Sequence, residues 1–309
     1  MPPVGDGIDI AIAGGGLAGL TAGMFAARLG HSATVLTGLA PGGLLLSIEQ
    51  IEGVPGFPEG VPGYELCPMA QEQAEAAGAG FSMAEADGIE RDGDGWIVHS
   101  ADGDLRAKAV VLATGSRLRT LGVPGEQELT GSGVSHCASC DAPMLRDKVT
   151  VVVGAGDSGL QEALTLAGSV AQVIVLDHGD HPAAQETYRR RVVEHEKIEI
   201  RTGVEVTEIV GNGTVSGVRT SAGEIPCDAV FVYVGLDPNT EFLNGGIALD
   251  ADGRVPTDNH LRTELPGVFA AGSLRADSLY QAASAAGDGA AAAKAAHRYL
   301  NDGIWRDGG

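Results

Sequence analysis

The sequence predicts an α/β protein made of two three-layer, Rossmann-like dinucleotide-binding domains, the second inserted into the first. A strand–glycine turn–helix pattern occurs twice, with turns that begin at Gly14 and Gly154. Each copy is followed by a later strand that ends in glycine, at Gly115 and Gly235. An apolar strand at residues 268–271 comes after the second copy closes, so it is expected to return to the first domain. The predicted domains are residues 1–116 with 242–309, and residues 117–241.

Residues 8–13 form a continuous apolar run, which is typical of a parallel strand buried on both faces. Residues 40–63 are rich in glycine and proline and predict a long functional loop. The other elements predicted for the first domain are strands at 33–37 and 108–113, an antiparallel meander around 96–105, and helices at 20–29, 64–77 and 281–300.

In the second domain, an apolar strand at 149–153 leads into the second glycine turn. Asn212-Gly213 predicts a hairpin turn between two short strands. The remaining predicted elements are helices at 160–167 and 184–196, and strands at 172–176, 204–210, 215–220 and 229–234.

The composition excludes several classes of function. The formal charge is −21, with 20 basic and 41 acidic residues, which argues against a nucleic-acid partner and against an anionic membrane surface. The apolar stretch at 8–20 is too short and too rich in glycine to span a bilayer. No basic segment precedes it, so it does not resemble a signal peptide, and the expected location is the cytoplasm.

Both glycine turns have the GxGxxG spacing and lie between an apolar strand and a helix, which is the context that dinucleotide binding requires. The first glycine permits the turn, the second lets the backbone approach a pyrophosphate, and the third lets the helix pack on the strand. The helix N-terminus supplies free N–H groups. Two such turns predict two dinucleotides, a flavin and a nicotinamide.

Cys137 and Cys140 form a CxxC pair with three possible interpretations. A structural zinc site needs four ligands, and no second pair accompanies this one, so no metal site is predicted. A c-type haem site needs histidine after the second cysteine, where this chain has Asp141. A redox-active disulfide is the favoured interpretation, with Asp141 either a proton donor and acceptor or a plain helix cap. Cys67 and Cys227 are interpreted as packed thiols.

Taken together, the motifs resemble the low-molecular-weight thioredoxin reductases over nearly the whole chain. The segments that carry the resemblance are Gly14–Gly19, Ala113-Thr114-Gly115, Cys137–Asp141, Gly154–Glu162, Gly235–Thr240 and Gly267–Gly272. The resemblance implies a homodimer with FAD on the first domain. It places a nicotinamide nucleotide and the CxxC pair on a second domain that rotates about hinges near Arg117 and Thr240. The implied partner is a thioredoxin-like protein or a small dithiol or disulfide.

The resemblance also implies roles for individual residues. Cys140 would be the thiol nearer the flavin, Cys137 would attack the substrate, and Asp141 would move protons. The residues expected at FAD are Gly14, Gly16, Leu17, Ala18, Gly19, Thr37, Gly43, Leu44, Ala113, Thr114, Gly115, Gly272, Ser273, Gln281 and Ala282. Those expected at the nicotinamide nucleotide are Gly154, Gly156, Asp157, Ser158 and Asp177.

The nucleotide side departs from the family pattern. Where the family places a His-Arg-Arg cluster for the 2′-phosphate of NADPH, this chain has Asp177-His178-Gly179-Asp180. Asp177 follows Gly156 by about 20 residues, the position of a carboxylate that binds the ribose hydroxyls of NADH. NADH is therefore expected to bind better than NADPH, unless an arginine at 189–191 reaches back.

The flavin side departs as well, because several usual polar contacts are replaced. The replacements are Gly42-Gly43-Leu44, Glu52-Gly53, Gly272-Ser273 and Tyr280-Gln281-Ala282. Three functions stay open. The first is an NAD(P)H-dependent disulfide reductase. The second is a related enzyme that does not use NAD(P)H, either a dithiol oxidase using O2 or a reductase fed by a donor such as ferredoxin. The third is a redox-responsive regulatory protein.

Overall fold

The computed structural model describes residues 7–305. Contacts between Cα atoms divide the chain into two compact units, residues 1–117 with 237–309 and residues 118–236. The elements up to the first crossing are β1 (Ile8–Ala13), α1 (Leu17–Arg28), β2 (Ala33–Leu36), α2 (Gly63–Ala77), β3 (Gly80–Ser82), β4 (Ala86–Asp92), β5 (Gly95–Ser100), β6 (Leu105–Leu112) and β7 (Ser116–Leu118).

The second unit follows β7 in the chain. Its elements are β8 (Val134–Ser135), α3 (Ala138–Asp141), β9 (Val149–Val153), α4 (Asp157–Ala167), β10 (Gln172–Leu176), α5 (Glu186–Val193), β11 (Ile198–Arg201), β12 (Val206–Gly211), β13 (Val215–Thr220), β14 (Gly223–Pro226) and β15 (Ala229–Val232). The chain then returns to the first unit through β16 (Leu236–Pro238), and β17 (Val268–Ala270) and α6 (Ala282–Asp302) complete that unit.

In the first unit, the sheet of the described residues has the order β3-β2-β1-β6-β5-β4, with β17 also on β6. β6 is long, so its beginning pairs antiparallel with β5 while its end pairs parallel with β17. One face carries Ile10, Ile12 and Phe269 against α1 and α6. The other face carries Val110 and Leu112 against the meander. Apolar side chains on both faces explain why these strands read as continuous hydrophobic runs.

In the second unit, a parallel sheet has the order β11-β10-β9-β15-β8. Helices α3, α4 and α5 cover one face, where Leu160 of α4 shares a buried cluster with Phe231 of β15. The antiparallel sheet β12-β13-β14 covers the other through Ile209 and Val218. Each unit is therefore a three-layer α/β domain, as the sequence predicted.

The second boundary falls at 236/237, five residues before the predicted 241/242. The reason is the contacts of residues 237–241. The Asn239 N–H donates to the Gly115 carbonyl at 3.0 Å, and its side-chain amide donates to the Thr114 carbonyl at 3.0 Å. Arg117 forms an ion pair with Glu241. These contacts hold the segment in the first unit.

Helices α1 and α4 both begin three residues earlier than predicted, directly after the second glycine of each turn. The third glycine therefore lies within the first helical turn. Among the residues that the structure describes, no helix combines the length and the hydropathy needed to cross a membrane.

Candidate active site

The first glycine turn is closely packed at two positions and open at one. Gly14 has φ +117°, and a Cβ atom there would lie 2.2 Å from the Ala113 carbonyl oxygen. A Cβ at Gly19 would lie 1.9 Å from the Gly14 carbonyl oxygen. A Cβ at Gly16 would meet nothing within 4 Å. Gly16 is the N-cap of α1 and provides no side-chain cap, so no side chain at this position bonds the first N–H groups of α1, the groups that bind phosphates at helix N-termini.

The predicted FAD residues gather around this turn. Thr37 packs on Gly15, and its hydroxyl donates to the Ser82 carbonyl at 3.1 Å. The Gly42 N–H donates to the Gly15 carbonyl at 2.8 Å, which brings Gly43 and the adjoining Leu44 against Gly16.

The end of β17 reaches the same turn. A Cβ at Gly272 would lie 2.9 Å from the Ala18 side chain, and one at Gly115 would lie 3.7 Å from the Ser273 hydroxyl. Gln281 is the N-cap of α6, and the adjoining Ala282 shares a buried cluster with Leu17. Every residue predicted at FAD thus lies in the first unit, on or near its glycine turn.

Asp288, on α6, belongs to this arrangement although the sequence did not single it out. Its carboxylate accepts the Gly272 N–H at 3.0 Å and two bonds from Arg275 at 2.7 and 3.1 Å. The available signal was the pair of glycines that flank it, because glycine inside an alanine-rich helix indicates a close approach. A Cβ at Gly289 would lie 2.1 Å from the Ala18 carbonyl oxygen.

The second glycine turn repeats the architecture of the first. A Cβ at Gly154 would lie 2.2 Å from the Tyr233 carbonyl oxygen, and one at Gly159 would lie 2.0 Å from the Gly154 carbonyl oxygen. Gly156 has nothing within 4 Å of its Cβ position and is the uncapped N-cap of α4. Ser158 is exposed in the first turn of this helix. The second turn thus has the same uncapped helix N-terminus as the first.

Asp177, directly after β10, lies against this turn. Its two carboxylate oxygens accept the Ala155 and Gly179 N–H groups, each at 2.7 Å. Each oxygen has a further lone pair for a ribose hydroxyl. Asp157 instead accepts two bonds from Gln185, at 2.7 and 2.6 Å.

Two of the three arginines at 189–191 have partners on their own helix. Arg189 forms an ion pair with Glu186 at 2.6 Å, and the Arg191 guanidinium lies over the Tyr188 ring at 5.8 Å. These contacts compete with any approach to a phosphate beside Asp177.

Cys137 and Cys140 form a disulfide, with their Cα atoms 5.3 Å apart. Cys137 is the N-cap of α3, and its sulfur accepts the Cys140 N–H at 3.3 Å. Cys140 is the more exposed of the two. Cys67 and Cys227 are buried, and burial raises the pKa of the Cys67 thiol to about 11 and that of Cys227 to about 12. The two buried thiols are therefore inert beside the pair.

Asp141 closes α3, and its N–H donates to the Cys137 carbonyl at 3.3 Å. His136 donates its Nδ1–H to the Val232 carbonyl at 3.0 Å, since a carbonyl oxygen can only accept. Among residues 7–305, no group of three or more His, Cys, Asp or Glu side chains is placed to hold a metal ion.

Residues 8–290 match the family described as pyridine nucleotide-disulphide oxidoreductase. The chain belongs to this family. A thioredoxin reductase of Mycolicibacterium smegmatis is 40% identical over 94% of this chain and 96% of its own length. The solved thioredoxin reductase of Lactococcus lactis is 35% identical, with a TM-score of 0.91 over 96% of this chain and 99% of that one. A ferredoxin-flavin thioredoxin reductase from Clostridium acetobutylicum is 27% identical, with a TM-score of 0.53 over 96% of this chain and 98% of that one.

Membership in the pyridine nucleotide-disulphide oxidoreductase family confirms the predicted resemblance and the two dinucleotide-binding folds. It makes the chain a flavoprotein oxidoreductase of the thioredoxin reductase type, with FAD and a pyridine nucleotide as the family's cofactors. The roles of individual residues and the preference for NADH stay predictions.

Proposed function

We propose that this protein passes electrons from NADH, through FAD, to the Cys137–Cys140 disulfide and on to a disulfide of a thioredoxin-like protein or a small molecule. The observation that carries the proposal is the pair of glycine turns, open at Gly16 and Gly156, in a chain that also holds a disulfide at a helix N-terminus. FAD, when bound, supplies the two-electron carrier between the nucleotide and the disulfide.

The position of Asp177 supports NADH over NADPH. Two backbone N–H groups fix its carboxylate beside the second turn. A 2′-phosphate at about 4 Å would be opposed by roughly 4 kcal/mol per charge pair at an effective dielectric of about 20. The ribose hydroxyls of NADH would instead donate to the remaining lone pairs.

The position of Cys137 supports its role as the thiol that attacks substrate. In the reduced pair, the Cys140 N–H and the amino end of α3 would stabilise a thiolate at Cys137. Reduction of the disulfide takes up two electrons and two protons. Asp141, at the end of the same helix, is proposed to exchange the proton that a thiol gains or loses.

Anaerobic titration of the flavin tests the electron donor. NADH is expected to bleach the flavin absorbance at lower concentration than NADPH. Asp177→Asn is expected to weaken NADH by about tenfold, because it removes the charge and turns one of the two acceptor oxygens into an NH2 group that faces the Ala155 or Gly179 N–H, and to improve NADPH by a similar factor through the loss of charge. The matched control is Asp180→Asn, an exposed carboxylate three residues away that should leave both unchanged. A flavin that stays oxidised with both nucleotides would refute a nucleotide donor.

A second candidate is an enzyme of the same type that takes electrons from elsewhere. The engagement of Arg189 and Arg191 on their own helix favours it, because neither is free to replace the family's phosphate-binding cluster. This form would be fed by a ferredoxin-like protein, or would run in reverse as a dithiol oxidase using O2. Oxygen uptake with a dithiol and without nucleotide would support the oxidase. Flavin reduction by ferredoxin alone would support the ferredoxin-fed form.

We also propose that the protein is a cytoplasmic homodimer. Sedimentation equilibrium of the FAD-loaded protein tests the oligomeric state. A monomer throughout the micromolar range would contradict it.

A further inference from the structure

Asp288 and Arg275 form an ion pair that is almost enclosed within the first unit. Their side chains are 13% and 16% exposed, and the carboxylate accepts two bonds from the guanidinium, at 2.7 and 3.1 Å. Taking two charges out of water costs free energy that their attraction only partly returns, so apolar residues of similar volume are often at least as stabilising. The stability of the fold therefore does not by itself account for this pair.

The carboxylate of Asp288 has a third bond, to the backbone. Its Oδ2 atom accepts the Gly272 N–H at 3.0 Å. Gly272 has φ +78° and begins the short 3-10 turn Gly272–Leu274, which Arg275 follows as the C-cap. The side chain of Asp288 therefore holds both ends of this turn, through the Gly272 amide at its start and the Arg275 guanidinium at its end.

The turn that Asp288 holds lies against the first glycine turn. A Cβ at Gly272 would lie 2.9 Å from the side chain of Ala18, the second residue of α1. The next residue is tied down as well, because the Ser116 hydroxyl donates to the Ser273 carbonyl at 3.0 Å. The carboxylate bound to this turn thus comes from α6 and not from the turn itself, where residue 273 is a serine.

The pairing with Arg275 also sets the charge that this turn carries. An unpaired carboxylate here would oppose a diphosphate at the N-terminus of α1, because like charges repel. The Arg275 guanidinium offsets the charge of Asp288 while the Oδ2 atom stays bonded to the Gly272 N–H. The pair therefore provides a strong acceptor for the backbone without adding net negative charge beside the glycine turn.

We propose that Asp288 and Arg275 are positioning residues for FAD, in which the carboxylate fixes the Gly272 N–H and so holds the segment 272–273 against the start of α1 before FAD binds. The inference rests on the proposed function, in which the first glycine turn binds FAD. A preformed site does not pay the cost of ordering when its ligand arrives, so the effect of this bond is expected in the affinity for FAD. The decisive element is the acceptor for the Gly272 N–H, and the role of Arg275 is to make a carboxylate acceptable there.

Two double variants separate the acceptor from the ion pair. Arg275→Met is combined with Asp288→Asn in one and with Asp288→Leu in the other, so both lack the two charges. Asparagine and leucine have the same branched shape, but only asparagine can accept the Gly272 N–H. FAD is removed from the full-length protein and titrated back, with binding followed by flavin fluorescence. The Kd for FAD in the leucine variant is expected to exceed that in the asparagine variant by about 10- to 100-fold, because the Gly272 N–H loses its acceptor.

Arg262→Met is the matched control, because it removes another ion pair of the first unit, with Asp258 at 2.7 Å, and should leave the Kd for FAD unchanged. Should leucine at 288 prevent folding, Arg275→Met with Asp288→Ala makes the same comparison, since alanine suits a helix interior and also lacks an acceptor. Equal affinity in the two double variants, whether strong or weak, would overturn the inference alone. Wild-type protein that binds no FAD would refute the proposed function as well, and no electron donor enters the measurement.

Discussion

A methyl group at Gly156 should separate nucleotide binding from folding. Gly156 has φ −79° and ψ −179°, which alanine adopts without strain, and its Cβ position has no neighbour within 4 Å. Alanine restricts the unfolded chain, which stabilises by about 0.4–1 kcal/mol, and is a poorer N-cap by a similar amount. The free energy of unfolding of Gly156→Ala should therefore stay within about 1 kcal/mol of wild type.

The same methyl group would occupy the space in which a pyrophosphate reaches the first amides of α4. Losing one charge-assisted hydrogen bond costs about 1.5–3 kcal/mol, which is about a 10- to 100-fold rise in the Kd for NADH. The assay is NADH binding by calorimetry, with flavin absorbance and thermal unfolding measured on the same sample. The FAD content should not change, because Gly156 lies in the second unit.

Gly16→Ala is the mirror experiment, since Gly16 has the same open Cβ position at the first turn. It should lose FAD and keep its fold. Gly159→Ala marks the contrasting case, because its Cβ would lie 2.0 Å from the Gly154 carbonyl oxygen and should destabilise the second unit. Wild-type NADH affinity in Gly156→Ala would refute the assignment of the second turn to a nucleotide and would favour the donor-independent alternative.

Two further predictions concern the first unit. Gly289→Ala should destabilise it by about 1–3 kcal/mol and release FAD, because the new Cβ would lie 2.1 Å from the Ala18 carbonyl oxygen. A Cβ at Gly287, on the same helix, would meet nothing within 4 Å, so Gly287→Ala should be neutral or stabilising. Chemical denaturation of both variants measures the difference. His297 has its pKa lowered from 6.5 by burial and then by Lys294 and His31, so its contribution to stability should be full above pH 6.5 and fall as the pH drops below it. Asp104 raises the pKa of His99, so the contribution of His99 to stability changes with pH in the opposite direction. The test therefore compares melting temperature against pH in wild type and in His297→Gln, which share His99. Parallel curves would contradict the role given to His297.

The parallel strands were predictable because apolar runs buried on both faces leave a strong pattern in the sequence. The helix starts were placed three residues late, because the third glycine of each turn looks like a helix breaker when only the chain is considered. It is in fact the residue that lets the first helical turn pack on the strand. The pairing of Asn239 with Thr114 could not be predicted, since it joins residues 125 apart in sequence.

The residues of the candidate site also fall into a predictable and an unpredictable group. The glycine turns and the CxxC pair were predictable, because their spacing within a short segment indicates dinucleotide binding and a redox disulfide. Asp288 is a single polar residue whose role depends on what the fold places beside it, the Gly272 N–H and Arg275.

The equivalence of the two turns bears on where specificity lies. Their Cβ distances agree to within 0.1 Å at the positions that correspond, so turn geometry alone cannot assign FAD to one and a nicotinamide nucleotide to the other. The difference must come from the neighbours. The first turn is covered by Gly272 and by α6. The second is flanked by Asp177 and by Tyr233, whose carbonyl oxygen limits Gly154 and whose ring packs with the redox helix. Specificity at the second turn is therefore expected to depend on Asp177 rather than on the glycines of the turn.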